Sequence, residues 1–352
     1  MEKREDDLLV EIKKLEEQVA SASLPPDLKE RLKAAIERLK LAVRFENYSK
    51  NFDEISRYIE WVCSLPWMKQ SDDILDLGHA RKVLDQNHFG LDQTKERILE
   101  YLAVLKLQKE RQTEEKIRAP ILCFVGLVGT GKTTLAYSIA EALGRKFARI
   151  PFGGLGDPAF LRGRSRMINE SEPGQIIKAL RYAGTRNPVI LLDEIDRVAE
   201  ENRSTIMGVL VELLDPRQND KFVDYYVDYP FDLSDALFIT TANNTTNIST
   251  AVLDRLEPMQ MPSYSDEEKI TIGKNYILPR TMKTMGLSAN DLEISSTIWP
   301  KIVRPLGFDA GVRTLERNVS EICRKVAKLI VEGKQGKITV SENNLGEFIQ
   351  SW

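Results

Sequence analysis

Cysteine is scarce in this sequence of 352 residues: Cys63, Cys123 and Cys323 are odd in number and scattered, which argues against a disulfide framework and for a reducing compartment. Long apolar runs are also missing. The longest, Ile121–Val125 continuing into Gly126-Leu127-Val128, falls far short of the roughly 20 residues that span a bilayer. The opening Met1-Glu2-Lys3-Arg4-Glu5-Asp6-Asp7 is too charged for a signal peptide, so a cytoplasmic chain with no membrane attachment is expected. Neither sign of charge dominates: 50 Lys and Arg face 53 Asp and Glu, a net charge of -3. A nucleic-acid partner, which would call for a basic excess, is therefore not expected. What is present, 42% hydrophobic and 29% charged residues, suits a globular protein of two or three domains and excludes a disordered or collagen-like chain.

Leu8, Ile12, Leu15 and Val19 recur at spacings of four and three, the signature of one helix face. Ser23-Leu24-Pro25-Pro26 breaks that helix, and Asp27 suits the start of a second carrying Leu28, Leu32, Ile36, Leu39 and Val43. The hairpin either packs on its own domain or forms a coiled-coil arm. A third helix with Ile55, Tyr58, Ile59 and Val62 ends at Leu65-Pro66-Trp67. Ile98, Leu99, Leu102 and Leu105 mark another helix. Apolar runs at 121–125, 189–192 and 236–241 read as strands buried on both faces, separated by helical segments, which predicts a parallel sheet between helices. After Pro262 the chain turns helical, Ser265-Asp266-Glu267-Glu268 reads as a helix start, and the only strand-like run is Lys337-Ile338-Thr339-Val340. The fold class is α/β. The expected organisation is a helical arm over 1–68, an αβα domain over 69–262 and a small, mainly helical domain over 263–352.

Gly126-Leu127-Val128-Gly129-Thr130-Gly131-Lys132-Thr133, with Thr134 next, fits G-x-x-x-x-G-K-S/T between a buried strand and a helix carrying Leu135, Ile139, Ala142 and Leu143. Glycines let backbone N–H groups curl inward, and the helix amino end adds about half a positive charge toward a phosphate. Lys132 can neutralise the β- and γ-phosphates of ATP, and Thr133 can take a position on Mg²⁺. The run at 189–192 ends in Asp193 and Glu194, two carboxylates at a strand tip. Asp193 is the expected metal-side group and Glu194 the base that polarises water. Asn243, closing Phe238-Ile239-Thr240-Thr241-Ala242-Asn243, can orient the same water.

These residues resemble the AAA+ ATPases, and specifically the ATPase module of the Lon protease family. The resemblance extends through Tyr58-Ile59-Glu60-Trp61, Ser64-Leu65-Pro66-Trp67, His88-Phe89-Gly90-Leu91-Asp92, Leu192-Asp193-Glu194-Ile195-Asp196, Leu214-Asp215-Pro216, Leu253-Asp254-Arg255 and Gly311-Val312-Arg313-Thr314-Leu315-Glu316-Arg317. It implies that Arg255 is an arginine finger reaching the nucleotide of an adjacent subunit, and that Arg313 reports nucleotide from the small domain. His88, Phe89, Gly90 and Leu91 would border the adenine. It further implies a homo-oligomeric ring, usually of six subunits, that pulls unfolded or damaged protein substrates through a pore toward a peptidase domain.

Two departures stand out. The family's first pore loop carries an aromatic-aliphatic pair, whereas the aligned stretch here places Met167, Ile168 and Asn169 at the tip, so an altered grip on polypeptide is expected. The second loop differs too, with Arg203-Ser204-Thr205-Ile206 in place of R-G-D-P. Few residues follow Arg313, so the Ser-Lys peptidase site is expected to lie outside this chain. Two rival functions follow: a nucleotide-dependent assembly switch that does not pull, and a nucleic-acid remodeller. The remodeller is favoured only by Arg162, Arg164 and Arg166, which fit pore electrostatics as well.

Overall fold

A computed structural model describes residues 2–44, 49–111, 121–168, 170–304 and 310–349. Helices α1 Glu2–Ser21, α2 Pro26–Arg44 and α3 Ser49–Ser64 come first, then α4 Leu77–Asn87 and α5 Asp92–Arg111. Strand β1 Ile121–Val125 leads to α6 Lys132–Leu143, β2 Phe147–Pro151, α7 Ala159–Arg162, α8 Gln175–Ala183 and β3 Val189–Asp193. Next are α9 Arg203–Leu214, β4 Phe222–Val223, β5 Pro230–Phe231, β6 Leu237–Ala242, α10 Thr250–Leu253 and β7 Leu256–Gln260. The last stretch holds α11 Asp266–Ile272, α12 Leu278–Thr284, β8 Leu292–Ile294, α13 Trp299–Val303, α14 Arg313–Val331, β9 Ile338–Val340 and α15 Leu345–Phe348.

Five strands form one sheet in the order β2-β3-β6-β1-β7, with β2 and β6 both parallel to β3. Position in the sheet explains which strands the sequence discloses. The inner strands β3 and β6 are buried at every residue, and β1 at all but its first, so they read as continuous apolar runs. The outer strands alternate: Ala148 and Ile150 of β2 point inward while Arg149 and Pro151 are exposed, and in β7 Leu256 and Met259 are buried beside exposed Pro258. Each outer strand thus holds a proline, which an edge tolerates because one N–H there has no ladder partner. Neither edge strand was expected. The small β8–β9 pair, parallel, corrects the expectation of a single strand run after 262, because three residues of β8 are too few to show a period.

The chain folds into two compact units. The first comprises Met1–Ile74, Thr113–Cys123 and Leu143–Glu257. In it the predicted helix faces are buried, Ile12, Leu15 and Val19 on α1 and Leu28, Leu32, Ile36 and Leu39 on α2, while the side chain of Val43 lies outside the described residues. Lys40 reaches Glu16 at 2.6 Å, tying α1 to α2. The guanidinium of Arg181 stacks on Trp61 at 4.0 Å and Trp67 meets Phe231 at 4.9 Å, so the helical segment packs on its own unit, one of the two alternatives for the hairpin.

The second unit comprises Leu75–Gln112, Phe124–Ala142 and Pro258–Trp352. Its core gathers Ile272, Trp299, Ile302, Leu315, Val319, Ile322, Val326, Val340 and Phe348. Helix α11 begins with a full capping box: the Ser265 hydroxyl accepts from the Glu268 N–H, and the Glu268 carboxylate accepts from the Ser265 N–H. A π-helical turn, Gly273–Ile277, follows; at Gly273 a Cβ would lie 2.5 Å from the Trp299 ring, so only glycine lets the indole fill the core.

Candidate functional site

The second unit holds the phosphate loop. Gly129 and Gly131 have φ of +84° and +91°, conformations that cost a residue with a Cβ, and they turn the chain from β1 into α6. A Cβ on Gly126 would meet the Met261 carbonyl oxygen at 2.7 Å, and one on Gly311 would fall 2.5 Å from the Gly129 backbone, so main chain approaches the loop closely from two sides. The Val312 N–H donates to the Gly129 oxygen at 3.0 Å, and the Arg313 side chain lies against Gly129. The buried Lys132 ammonium folds over the loop and donates to the carbonyls of Gly126 and Leu127. Its charge thus stands where phosphate oxygens would replace carbonyls. Thr130 Oγ1 donates to the Leu127 oxygen at 2.9 Å, and Thr134 Oγ1 donates to the Gly131 oxygen at 2.8 Å. Val128 is half-buried within this turn and Leu127 is exposed.

The His88-Phe89-Gly90 stretch lies in the same unit. His88 is buried, and its Nε2 pairs with Ser138 Oγ of α6 at 3.0 Å while its carbonyl accepts from the Lys95 ammonium at 2.8 Å. Burial, with help from the Lys95 charge, pushes its pKa down to about 4, so the ring is neutral at pH 7. Phe89 meets Tyr276 edge-on at 6.5 Å. Gly90 and Leu91 both have positive φ, +61° and +59°. Tyr264, unnoticed in the sequence, donates its hydroxyl to the Thr130 carbonyl at 3.3 Å, and burial raises its pKa to about 12. His88, the phosphate loop and Arg313 therefore converge in one unit.

The first unit holds the acidic strand tip. Asp193, buried at the end of β3, accepts from the Thr241 hydroxyl on one oxygen and from Arg149 Nε at 2.6 Å on the other. The Glu194 N–H donates to Thr241 Oγ1 at 2.8 Å. One buried hydroxyl on β6 thus fixes both members of the carboxylate pair. Glu194 itself has φ 59° and ψ 48°, a left-handed conformation that costs a non-glycine residue about 1 kcal/mol. The turn aims its carboxylate out of the strand direction, 3.6 Å from Arg197 and close above Gly153, where a Cβ would sit 3.1 Å from Oε2. Such strain clusters at functional sites.

Asn243 Nδ2 lies 3.4 Å from Asp196 Oδ2; the other oxygen of this buried carboxylate has no hydrogen-bond partner among the described residues. Arg255 donates to the Ala251 carbonyl at 2.7 Å and to Asp215 Oδ2 at 2.8 Å. The Arg217 N–H and then the Arg255 guanidinium hold the Asp215 carboxyl below the usual carboxylate range. In this chain the expected finger is thus docked on the chain's own aspartate.

Met167 and Ile168 crown the loop after α7, 96% and 55% exposed; Asn169 lies outside the described residues. The stretch expected as a second loop, Arg203 to Ile206, is instead the first turn of α9, with Ile206 fully buried. The apolar side of that helix needed an anchor there. Thr241 was overlooked as a site residue although a hydroxyl inside a fully buried strand signals a polar partner.

For Mg²⁺ the relevant fit is in donor chemistry. The Thr133 hydroxyl and Asp193 carboxylate are hard oxygen donors of the kind magnesium takes alongside phosphate oxygens, and no group of three or more His, Cys, Asp or Glu forms an all-protein cage among the described residues.

A glycine-rich turn with an inward lysine and a strand ending in two carboxylates define a P-loop ATPase, and the model of the "ATPase family associated with various cellular activities (AAA)" matches residues 122–263. The "Lon protease AAA+ ATPase lid domain" matches residues 283–339. The chain is 41% identical over 344 residues to the Lon protease of Heliobacterium modesticaldum, covering 98% of this chain and 41% of that protein. It is 42% identical over 331 residues to that of Desulforamulus reducens (94% and 40%), and 42% identical over 339 residues to Lon protease 1 of Bacillus subtilis (96% and 43%). The chain belongs to the Lon protease family, in which it corresponds to the AAA+ ATPase module. It spans about two fifths of the length of the curated relatives it matches. No helix among the described residues is long and apolar enough to cross a membrane.

Proposed function

We propose that this module hydrolyses ATP and, assembled as a ring of six copies in the cytoplasm, uses the energy to unfold polypeptide and move it toward a peptidase chamber. The observation that carries the catalytic half is the Asp193–Thr241–Glu194 arrangement: a hydroxyl that orders two carboxylates, one of them held in a strained backbone conformation. In the proposed reaction Lys132 and the amino end of α6 neutralise the β- and γ-phosphates. Mg²⁺, when held by Thr133 and Asp193, supplies further positive charge to the phosphate oxygens. Glu194 polarises a water that attacks in line, and Asn243 orients that water. Arg255, released from Asp215, would serve the nucleotide of a neighbouring copy, and Arg313 would report the loss of phosphate to the small domain. The three-part division at 68 and 262 belongs to the same proposal. The polypeptide half is supported by an open cavity of about 1270 Å³ in the first unit, bordered by Met167, Ile168, Arg166, Tyr225 and Tyr226, with both apolar tip residues facing outward.

Glu194→Gln should bind ATP normally and hydrolyse it about 10² to 10⁴ times more slowly, the usual worth of a general base. Near-normal turnover would remove Glu194 from the mechanism. ATPase rate measured against protein concentration, with and without casein as an unfolded protein and with Lys132→Ala as the blank, tests the assembled motor. A rate indifferent to casein favours the assembly switch.

A further inference from the structure

The loop carrying Met167 and Ile168 leaves the body of the first unit at Gly163 and returns at Gly174, and the two glycines close its neck. Gly163 has φ +73°, and a Cβ there would lie 2.8 Å from the Gly174 nitrogen. A Cβ on Gly174 would come within 2.1 Å of the Leu161 oxygen. The Arg164 N–H donates to the Glu172 oxygen at 3.1 Å, completing the closure. Against this neck sits Asp224, fully buried. Its Oδ2 accepts from the Gly174 N–H at 2.7 Å, and its Oδ1 accepts from the N–H groups of Tyr226 at 2.8 Å and Val227 at 3.1 Å. Asp224 forms no ion pair within 4 Å among the described residues; three backbone N–H groups hold the buried carboxylate, and the Lys178 charge favours its ionised form from further off. Burial pushes its pKa up to about 6 against those donors. A buried acid kept at such a cost, with an amide of the loop on one oxygen and amides of another segment on the other, is placed as a clasp.

The segment beyond the clasp is bound to the amino-terminal helices. Tyr58 of α3 donates its hydroxyl to the Val227 carbonyl at 3.2 Å, Arg31 of α2 donates to the Asp228 carbonyl at 3.3 Å, and Tyr229 donates to Asp27 at 2.7 Å. From the loop, the Arg166 guanidinium stacks 3.8 Å from the centre of the Tyr58 ring. The loop, the 224–229 segment and the arm therefore form one connected body, with Asp224 at its centre.

We propose that Asp224 is the positioning residue of the 163–174 loop: its carboxylate clasps Gly174 to the 226–227 turn, presents Met167 and Ile168 to a polypeptide in one geometry, and ties that geometry to the amino-terminal helices. The proposal rests on the polypeptide half of the function above. Asp224 touches neither nucleotide nor polypeptide. Its effect passes through the loop.

The test is Asp224→Asn in the full chain, which keeps the shape but sets an NH₂ group against an N–H donor. Casein stimulation of ATPase is titrated beside the basal rate. The half-saturating casein concentration should rise about tenfold, the order expected for one lost charge-assisted hydrogen bond, while the basal rate stays within about twofold. Equal half-saturation in the variant and the unaltered protein overturns the inference and leaves the motor intact. A parallel loss of basal and stimulated rates also overturns it, because that is a merely structural role. An unaltered protein that casein does not stimulate sinks the polypeptide half of the function and this inference with it. Should the variant fail to fold, amide exchange in the unaltered protein decides. Gly174, Tyr226 and Val227 amides exchanging as slowly as those of β6 support the clasp, and fast exchange overturns it.

Discussion

The phosphate loop and the 163–174 loop are both closed by glycine meeting glycine, yet they are held by different means. In the phosphate loop Gly311 lies on Gly129, the Val312 N–H seals the contact, and the inward lysine belongs to the loop itself. In the 163–174 loop Gly174 lies on Gly163, and the charge that seals the contact comes from Asp224, 50 positions further along. A loop that must bind one fixed chemistry, a triphosphate, can be stiffened locally. A loop proposed to work on polypeptides of any sequence keeps Met167 and Ile168 exposed and takes its order from outside, and this leaves it open to influence from whatever the outside element also touches.

The contrast can be broken at several places. The largest effect is expected at Gly311→Ala, where the new methyl would meet main chain that has no flexible end to move aside. Nucleotide affinity, read by titration with a fluorescent ATP analogue, should fall at least about 100-fold, equivalent to roughly 2.7 kcal/mol and within the range of overpacking costs. Gly174→Ala is the counterpart. It should leave that affinity within about twofold and damage casein stimulation instead, and if both variants act on the same readout the two loops are not separate devices. A smaller effect is expected at Thr241→Val, which removes the hydroxyl shared by Asp193 and Glu194. Here kcat should fall about tenfold with KM for ATP unchanged, and Thr241→Ser should restore it; a change in KM alone would mean that Thr241 serves binding rather than alignment. The smallest effect belongs to Tyr58→Phe, which deletes one hydrogen bond from the arm to Val227. Urea unfolding should register a loss of about 1 kcal/mol.

These residues also mark how far the sequence could be read. The phosphate loop, the Asp193-Glu194 pair and the Ser265 capping box are contiguous, and contiguous chemistry shows in a string of letters. The inner strands were visible because burial on both faces removes polar residues. β2 and β7 were not, since Arg149 and Pro258 interrupt their apolar residues at an edge where interruption is free. Arg203 to Ile206 aligns with a loop motif of the family, but the helical spacing of Ile206, Leu210 and Leu213 is the stronger physical signal. Thr241 and Asp224 stayed hidden for another reason: each acts through a partner some 50 residues away, and a single sequence carries no sign of which distant amide a buried oxygen will find.

Pro151 and Pro258 also guard the two margins of the sheet. A sheet margin with a full row of free amides is an invitation to any extended chain passing by, and a protein proposed to spend its life among unravelled polypeptides would meet such chains constantly. Each margin here lacks an amide at its proline, and β2 adds the exposed Arg149, so the sheet resists being lengthened by the very material it is proposed to handle.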